Sequence, residues 1–311
     1  MPASVVVRTW TKSLPSRTHL DRDEDLAWSA PNGVAHVVID GMGSARRQVA
    51  GREIGGEHAA RLIGEVLSAR LSALPDDLGI PDARQLLIAV VQEAGARIFH
   101  ELNSAGQIAP DQIPAGRTAE DVMVAAVMTG LILCEGGRRA VIGQNGDTRA
   151  YLYSGGDLLL LTEDQDAVQS DAEAGAISPD DADAIQDALD NFDGRDLGKL
   201  DRVARGYFAR RNLVFGQLGD SATPAPPVLS VIQLRPNDML LLCSDGVYGN
   251  LTQSEIADSM ALIDPAAALV DRADARSGER ALPDAVDLNR PYNYRAHQDD
   301  TTALVLKVEW P

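Results

Sequence analysis

Short apolar runs rich in Val, Ile and Leu recur along the chain, and each is bounded by Gly, Asp or Asn. Runs of this length and composition predict β-strands. The predicted strands are Ser4–Arg8, Val34–Ile39, Ala140–Ile142, Ala150–Tyr153, Leu158–Leu161, Met239–Cys243 and Thr302–Val308.

Longer stretches place apolar residues three and four apart, which predicts amphipathic helices. They are Glu57–Leu74, Pro81–Asn103 and a third that begins at Ser254–Met260, with Thr252 or Ser254 as its cap. Strands and helices do not alternate along the chain, so a doubly wound parallel sheet is disfavoured. The order predicts an α+β fold with mainly antiparallel sheets.

The chain has 311 residues, of which 45% are hydrophobic, and this is enough for a sizeable core. No internal repeat or Pro/Gly/Ser linker divides it, and we treat residues 1–311 as a single domain. The 28 basic and 46 acidic residues give a net charge of −18. Such a surface repels nucleic-acid phosphate, and no basic stripe offsets it, so we expect no nucleic-acid partner.

Two isolated cysteines, Cys134 and Cys243, give no disulfide framework, which suits a reducing compartment. The first residues, Met1-Pro2-Ala3-Ser4, lack the pattern of a signal peptide. The longest nearly apolar run, Val122–Cys134, is shorter than the ~20 residues that cross a bilayer. We therefore expect a soluble cytoplasmic protein with no membrane partner.

Acidic clusters adjoin four of the apolar segments: Asp40-Gly41-Met42-Gly43, Gly143-Gln144-Asn145-Gly146-Asp147, Asp245-Gly246 and Gln298-Asp299-Asp300. Taken singly, an Asp-Gly pair is ordinary turn chemistry. Taken together, carboxylates at the ends of buried strands would repel one another unless cations neutralised them.

Ligation by oxygen alone selects hard ions such as Mg²⁺ or Mn²⁺, and the five histidines show no paired metal-ligand spacing. Two such ions can activate a bridging water and clamp a phosphoryl group, which is the chemistry of phosphoester hydrolysis.

These motifs, in this order, resemble those of the PPM family of metal-dependent protein phosphatases (the phosphatase 2C type), and the compact bacterial members most closely. The resemblance covers nearly the whole chain. It rests on Asp23-Glu24-Asp25, Asp40-Gly41-Met42-Gly43, Gly116-Arg117-Thr118-Ala119, Asn145-Gly146-Asp147-Thr148-Arg149-Ala150-Tyr151, Glu173-Ala174-Gly175-Ala176-Ile177-Ser178-Pro179, Cys243-Ser244-Asp245-Gly246 and Asp299-Asp300-Thr301-Thr302.

The resemblance implies a sandwich of two antiparallel β-sheets flanked by helices, in an α-β-β-α arrangement. It also implies a phosphoserine/phosphothreonine phosphatase with two Mn²⁺ or Mg²⁺ ions. Asp40 would bridge the two ions, and the Gly41 carbonyl would bind one of them. Asp245 and Asp299 would hold one ion, and the nucleophile would be a bridging hydroxide, so that Asp40, Asp245 and Asp299 are the catalytic candidates.

By the same resemblance, Glu24 would support the other ion, partly through water, and Asp25 would lie behind the residues that bind the ions directly. Asp147 and Asp245 would share a third, weaker ion. The substrates would be phosphorylated proteins, and the chain would counteract a serine/threonine kinase acting in trans.

The sequence also departs from the family pattern. A phosphate-binding arginine usually lies four residues before the glutamate, where this chain has Leu20. Arg17, Arg22 and the pair Arg46-Arg47 are candidates to replace it. Tyr248-Gly249 stands where an aspartate is common. The alternative is therefore a catalytically weak pseudo-phosphatase that binds or regulates phosphoproteins.

Acidic residues dominate Glu163–Asp201, and several arginines follow. Compared with the family, the chain carries extra residues at about 185–210. One interpretation is a solvated helical excursion; the other is an acidic flap beside the site that selects basic phosphoproteins through complementary charge.

Rival phosphatase chemistries fit less well. A cysteine phosphatase needs a cysteine, then five residues, then an arginine, but Ala140 and Gly249 occupy the arginine position after the two cysteines. The string Asp164-Gln165-Asp166 matches an aspartate-nucleophile motif but lacks the alternating architecture of that fold. Small-molecule phosphatase activity stays open, because only the resemblance specifies protein substrates. For His297, just before Asp299, we expect ordinary loop packing.

Overall fold

The computed structural model describes residues 6–42, 47–49, 52–104, 123–279 and 293–310. Two five-stranded sheets dominate these ranges, and all their neighbouring strands are antiparallel. With strands numbered in chain order, sheet I runs β1 (Val6–Leu14), β12 (Thr301–Glu309), β11 (Met239–Cys243), β8 (Arg149–Ser154), β9 (Asp157–Leu160). Sheet II runs β10 (Val228–Gln233), β7 (Arg139–Asn145), β6 (Ala125–Cys134), β3 (Ala35–Met42), β2 (Leu26–Ser29).

A small hairpin and eight helices complete the described chain. The hairpin pairs β4 (Arg47–Val49) with β5 (Arg52–Ile54). The helices are α1 (Gly56–Leu71), α2 (Ile80–Ile98), α3 (Ala167–Glu173), α4 (Pro179–Asp190), α5 (Arg202–Phe208), α6 (Asp245–Tyr248), α7 (Gln253–Met260) and α8 (Pro265–Ser277). A π-helical turn, Phe99–Asn103, extends α2. None of the described helices combines the length and apolar composition that crossing a bilayer requires.

The core has three apolar layers, and β11 shows how one strand serves two of them. Leu240 and Leu242 face the space between the sheets, whereas Leu241 and Cys243 face α7 and α8. Helices α1 and α2 cover the outer face of sheet II in the same way. The predicted α+β sandwich with helices on both outer faces is confirmed.

Six of the seven predicted strands match the observed ones within three residues at each end, and β11 has the predicted limits. The exception is β1, which runs to Leu14, six residues beyond the predicted end at Arg8. The sequence pattern did not predict β2, β10 or the β4–β5 hairpin. It also did not predict β6, although β6 lies in the longest nearly apolar run. Every residue of β6 is buried, because helices cover one face and sheet I covers the other. A run buried on both faces shows no alternation, so its pattern alone cannot separate strand from helix.

The acidic stretch forms short capped helices, as the helical interpretation predicted. The side chains of Asp166, Ser178 and Asp201 accept hydrogen bonds from the first turns of α3, α4 and α5. These helices, residues 167–208, are called the α3–α5 segment below. They share a small core built around Val168, Ile185 and Tyr207.

His36 is a fully buried titratable group in β3. Its Nε2 lies 2.9 Å from the Gly33 carbonyl oxygen, which can only accept, so Nε2 carries the proton. Its Nδ1 then accepts from the Ser29 hydroxyl at 2.9 Å. Burial lowers the pKa of His36 to about 4, although the Gly33 carbonyl opposes this shift.

We predict that His36 makes the free energy of unfolding fall as the pH drops from about 7.5 to about 5. The unfolded imidazole, with a pKa of about 6.5, takes up a proton in this range, and the folded one does not. The stability lost should be about 2 kcal/mol. Urea unfolding of the wild type and His36→Gln at both pH values measures it. Carboxylates titrate in both proteins, so equal pH slopes would contradict the prediction.

Candidate metal centre

The first group of acidic residues lies where β2 and β3 pair. Asp40 and Gly41 occupy the end of β3, and Asp25 directly precedes β2, so that the antiparallel register sets Asp25 opposite Asp40. The Gly41 amide donates to the carbonyl of Glu24 at 3.0 Å. A Cβ on Gly41 would lie 2.4 Å from that carbonyl oxygen, so this close approach requires glycine.

The second group comes from three neighbouring strands of sheet I. Asp147 lies in the turn before β8, Asp245 begins α6 just after β11, and Asp299 precedes β12. A Cβ on Gly246 would lie 1.9 Å from the carbonyl oxygen of Asp300. Glycine there lets the start of α6 rest against the start of β12, which places Asp245 beside Asp299.

Two buried side chains join the groups across the sandwich. The Ser244 hydroxyl donates to Asp25 Oδ2 at 2.6 Å. The carboxylate of Asp300 accepts the backbone amides of Ser16 at 2.5 Å and Glu24 at 2.6 Å. The loop that carries Glu24 is therefore fixed to the end of sheet I that carries Asp245 and Asp299.

Electrostatic effects show how closely these carboxylates gather. Asp40 is partly accessible from the site, yet burial raises its pKa well above the usual range. The charges of Asp25, Asp245, Asp299 and Asp147 raise that pKa further. A cation among these groups would favour their ionised forms and remove the repulsion.

Glu24 lies at the rim of this cluster. Burial raises its pKa to about 7, and the charge of Glu57 adds to this effect. Arg22 opposes the shift, because its Nε donates to Glu24 Oε1 at 3.2 Å.

His297 lies between two of the candidate ligands, which corrects the expectation of ordinary loop packing. Its Nε2 is 3.1 Å from Asp245 Oδ2 and 3.2 Å from Asp299 Oδ2. Burial would lower the pKa of His297, but the charge of Asp245 and the hydrogen bonds to both carboxylates raise it to about 10. The only signal in the sequence was its position two residues before Asp299.

Tyr248 is a second residue whose role the sequence did not reveal. Its hydroxyl lies 2.9 Å from Asp147 Oδ2. In the sequence this position stood out only as a departure from the family pattern.

The structure also separates the arginines considered in place of Leu20. Leu20 itself is 72% exposed. Arg17 forms a bidentate pair with Asp274 at 2.8 and 2.5 Å, on the surface of α8. Arg22 contacts Glu24 and so lies at the cluster. Arg46 and the side chain of Arg47 lie outside the described residues, as do Gly43 and the motif at 116–119.

The residues fit a divalent cation. One oxygen of Asp245, Oδ1, is buried and has no hydrogen-bond partner among the described residues. Ligand atoms of Asp245, His297 and Asp299 lie within 4.8 Å of one another. A buried carboxylate oxygen without a donor is unfavourable, and an ion beside it would compensate.

Known proteins share this sequence pattern. The sequence profile of the protein phosphatase 2C family matches residues 16–287. The chain belongs to the protein phosphatase 2C family. The resemblance drawn from the motifs is thereby confirmed.

Among relatives, the serine/threonine protein phosphatase PstP of Mycobacterium tuberculosis is 24% identical over 207 residues, which are 67% of this chain and 32% of PstP. The chain thus matches only about a third of the length of this curated relative.

Solved structures of phosphatases share the fold. The catalytic domain of PstP in complex with two manganese ions superposes with a TM-score of 0.64 at 20% identity, covering 98% of this chain and 100% of that domain. The S. agalactiae serine/threonine phosphatase gives a TM-score of 0.66 at 17% identity, with coverage of 98% and 100%. These likenesses establish the protein phosphatase 2C fold.

Proposed function

We propose that the chain is a metal-dependent phosphatase that hydrolyses phosphoserine and phosphothreonine in proteins phosphorylated by a kinase acting in trans. The observation that carries this proposal is the convergence of carboxylates from both sheets: Asp25 lies opposite Asp40 and accepts from Ser244, the neighbour of Asp245, whose Oδ1 has no hydrogen-bond partner in the part of the chain that the structure describes. The manganese ions of the similar PstP domain support Mn²⁺ or Mg²⁺ as the cofactor.

In this proposal each side chain has a defined task. Asp40 and the carbonyl of Gly41 would hold the two main ions. Asp245 and Asp299 would bind one of them, and Glu24 would support the other. Asp25, which accepts from Ser244, would orient the neighbouring ligands. Asp147 would share a third ion with Asp245.

Bound ions of this kind lower the pKa of a shared water and stabilise charge on phosphoryl oxygens. The protein supplies rigid positions for the ligands, because they lie at strand ends whose backbones are paired. The Nε2 atom of His297 lies between Asp245 and Asp299 and so links these two candidate ligands.

The second candidate function is a pseudo-phosphatase that binds phosphoproteins without efficient turnover. The exposed Leu20, in place of a phosphate-binding arginine, favours it. Arg22 favours the enzyme, because it brings a guanidinium to the cluster by another route.

We predict that Asp245→Asn abolishes most Mn²⁺-dependent hydrolysis of p-nitrophenyl phosphate and of a phosphothreonine peptide. Loss of residues that only orient metal ligands already costs about 10- to 100-fold in activity, so kcat/KM should fall by more than about a hundredfold. The wild type should lose activity in chelator and regain it with Mn²⁺ or Mg²⁺.

Asp258→Asn is the matched control, because Asp258 is an exposed carboxylate on α7 away from the cluster. It should retain wild-type turnover. A wild type that binds Mn²⁺ but hydrolyses neither substrate would favour the pseudo-phosphatase.

We also predict that Arg22→Lys raises KM for the phosphopeptide by roughly tenfold and changes kcat less. Lysine keeps the charge but loses the planar fork that binds two phosphate oxygens. Steady-state kinetics separate the two constants. Arg17→Lys should alter neither kcat nor KM, because the guanidinium of Arg17 is already paired with Asp274. Equal effects of the two substitutions would refute this role for Arg22.

The α3–α5 segment offers a basis for substrate choice. Asp180, Asp183 and Asp187 of α4 are exposed, and the segment includes most of the extra residues at 185–210. We propose that this acidic face favours phosphoproteins with basic residues near the phosphate.

Replacing these three aspartates with asparagine should reduce the preference for Arg-flanked over Glu-flanked phosphopeptides several-fold. The effect should shrink at high salt, because exposed charges are screened. The measurement is the ratio of kcat/KM for the two peptides. An unchanged ratio at low salt would show that the acidic face takes no part in substrate selection.

A further inference from the structure

Arg149 is a buried cation two residues beyond Asp147, one of the carboxylates of the candidate metal centre. Its side chain is 3% exposed and pairs with two carboxylates. Nη2 contacts Asp164 at 2.7 Å, and Nη1 contacts Asp190, the last residue of α4, at 2.9 Å. The positive charge of Arg149, a residue of β8, is therefore compensated in part by Asp190 of the α3–α5 segment.

The ring of Tyr248 lies over this guanidinium, with 3.9 Å between Arg149 Cζ and the ring centroid. The hydroxyl of the same tyrosine donates to Asp147 at 2.9 Å, since an ionised carboxylate can only accept. A continuous series of contacts thus runs from Asp190 through Arg149 and Tyr248 to Asp147.

A second buried arginine, Arg295, joins α4, which carries Asp190, to α6, which carries Tyr248. Arg295 Nη1 donates to the carbonyls of Leu189 and Phe192 at the end of α4, at 2.7 and 3.0 Å. Its Nη2 donates to the carbonyls of Tyr248 and Leu251 at 2.5 and 2.6 Å. The end of α4 and the end of α6 are therefore held together.

The backbone around Asp147 is fixed by other contacts. The amide of Gly146 donates to Gln165 Oε1 at 2.6 Å, and the amide of Gln165 donates to the Gly146 carbonyl at 3.0 Å. Among the contacts described at this turn, Tyr248 is the hydrogen-bond donor to the carboxylate itself. A change at Tyr248 would thus alter the direction of the Asp147 side chain and leave its backbone in place.

We propose that Tyr248 is a positioning residue that aims the Asp147 carboxylate at its ion, and that Asp190, acting through Arg149, couples this aim to the docking of α4. The proposal rests on the proposed metal-dependent function. When α4 docks, Arg149 is held under the tyrosine ring and the hydroxyl is directed at Asp147. When α4 undocks, Arg149 loses one of its two carboxylates and Tyr248 loses its fixed support.

Such coupling is reciprocal. If docking of α4 strengthens ion binding at Asp147, then an ion at Asp147 must strengthen docking of α4 by the same factor. A substrate protein or partner that contacts the α3–α5 segment would consequently change the affinity of the ion.

The experiment compares the wild type with Tyr248→Phe, Asp190→Asn and the control Asp183→Asn. Phenylalanine keeps the ring over Arg149 and removes only the hydroxyl, and asparagine keeps the volume of aspartate. Asp183 is an exposed carboxylate on the same helix. Titration with Mn²⁺, followed by electron paramagnetic resonance of the free ion, gives each affinity. Hydrogen exchange of residues 179–208, with and without Mn²⁺, reports docking of α4.

We expect the affinity of the weakest-bound Mn²⁺ to fall about tenfold in Tyr248→Phe, the usual effect of losing one hydrogen bond to a charged group, while tighter ions are unchanged. Asp190→Asn should show the same selective loss and faster exchange in α4. Mn²⁺ should slow exchange of α4 in the wild type and in Asp183→Asn, but not in Tyr248→Phe.

Equal Mn²⁺ affinities in the wild type and Tyr248→Phe would overturn the positioning role. Faster exchange in Asp190→Asn without a change in Mn²⁺ affinity would overturn the coupling. Failure of the proposed metal site looks different, because the wild type would then bind no Mn²⁺. A wild type that binds Mn²⁺ without turnover would overturn the proposed phosphatase activity alone, since these measurements of affinity and exchange do not depend on turnover.

Discussion

Carboxylates from both sheets meet where their strands end, and burial and mutual repulsion raise the pKa of Asp25, Asp40 and Asp147 together. The surrounding structure must hold these groups close against that repulsion. Paired strands fix their backbones, and the glycines at 41 and 246 allow backbones to approach more closely than any side chain would permit. The negative charge that would attract a cation to this site is thus also the source of the repulsion that the fold has to offset.

Two buried arginines supply positive charge in the same region of the interior. Arg149 and Arg295 lie in the interior, where an unpaired charge would be very unfavourable, and both donate to several acceptors. Arg149 donates to the carboxylates of Asp164 and Asp190 and to the Tyr151 hydroxyl, and the Nη atoms of Arg295 donate to backbone carbonyls. Because some of these acceptors belong to α4, the α3–α5 segment is part of the site's electrostatic balance.

The sequence predicted most of the fold and of the carboxylate cluster, because both leave local signals. Asp245 stood out as a candidate because an Asp-Gly pair follows an apolar run. Strand β11 was predicted because turn-forming residues lie at both of its ends. By contrast, β6 has no alternation to detect, since both of its faces are buried. His297 and Tyr248 lie in a loop and a single-turn helix, where no periodicity exists, and only contacts through space reveal their positions.

Asp300 links parts of the chain that are far apart in sequence, since its carboxylate holds the amides of Ser16 and Glu24 across 284 and 276 residues. It lies at the start of β12, the strand that pairs with both β1 and β11. Contacts of such long range form slowly, because a large loop must close first. During synthesis, the amides of Ser16 and Glu24 therefore lack this acceptor until Asp300 leaves the ribosome. The anchoring of the Glu24 loop to sheet I is thus among the last contacts that a growing chain can make, and loss of the residues from Asp300 onward would remove it.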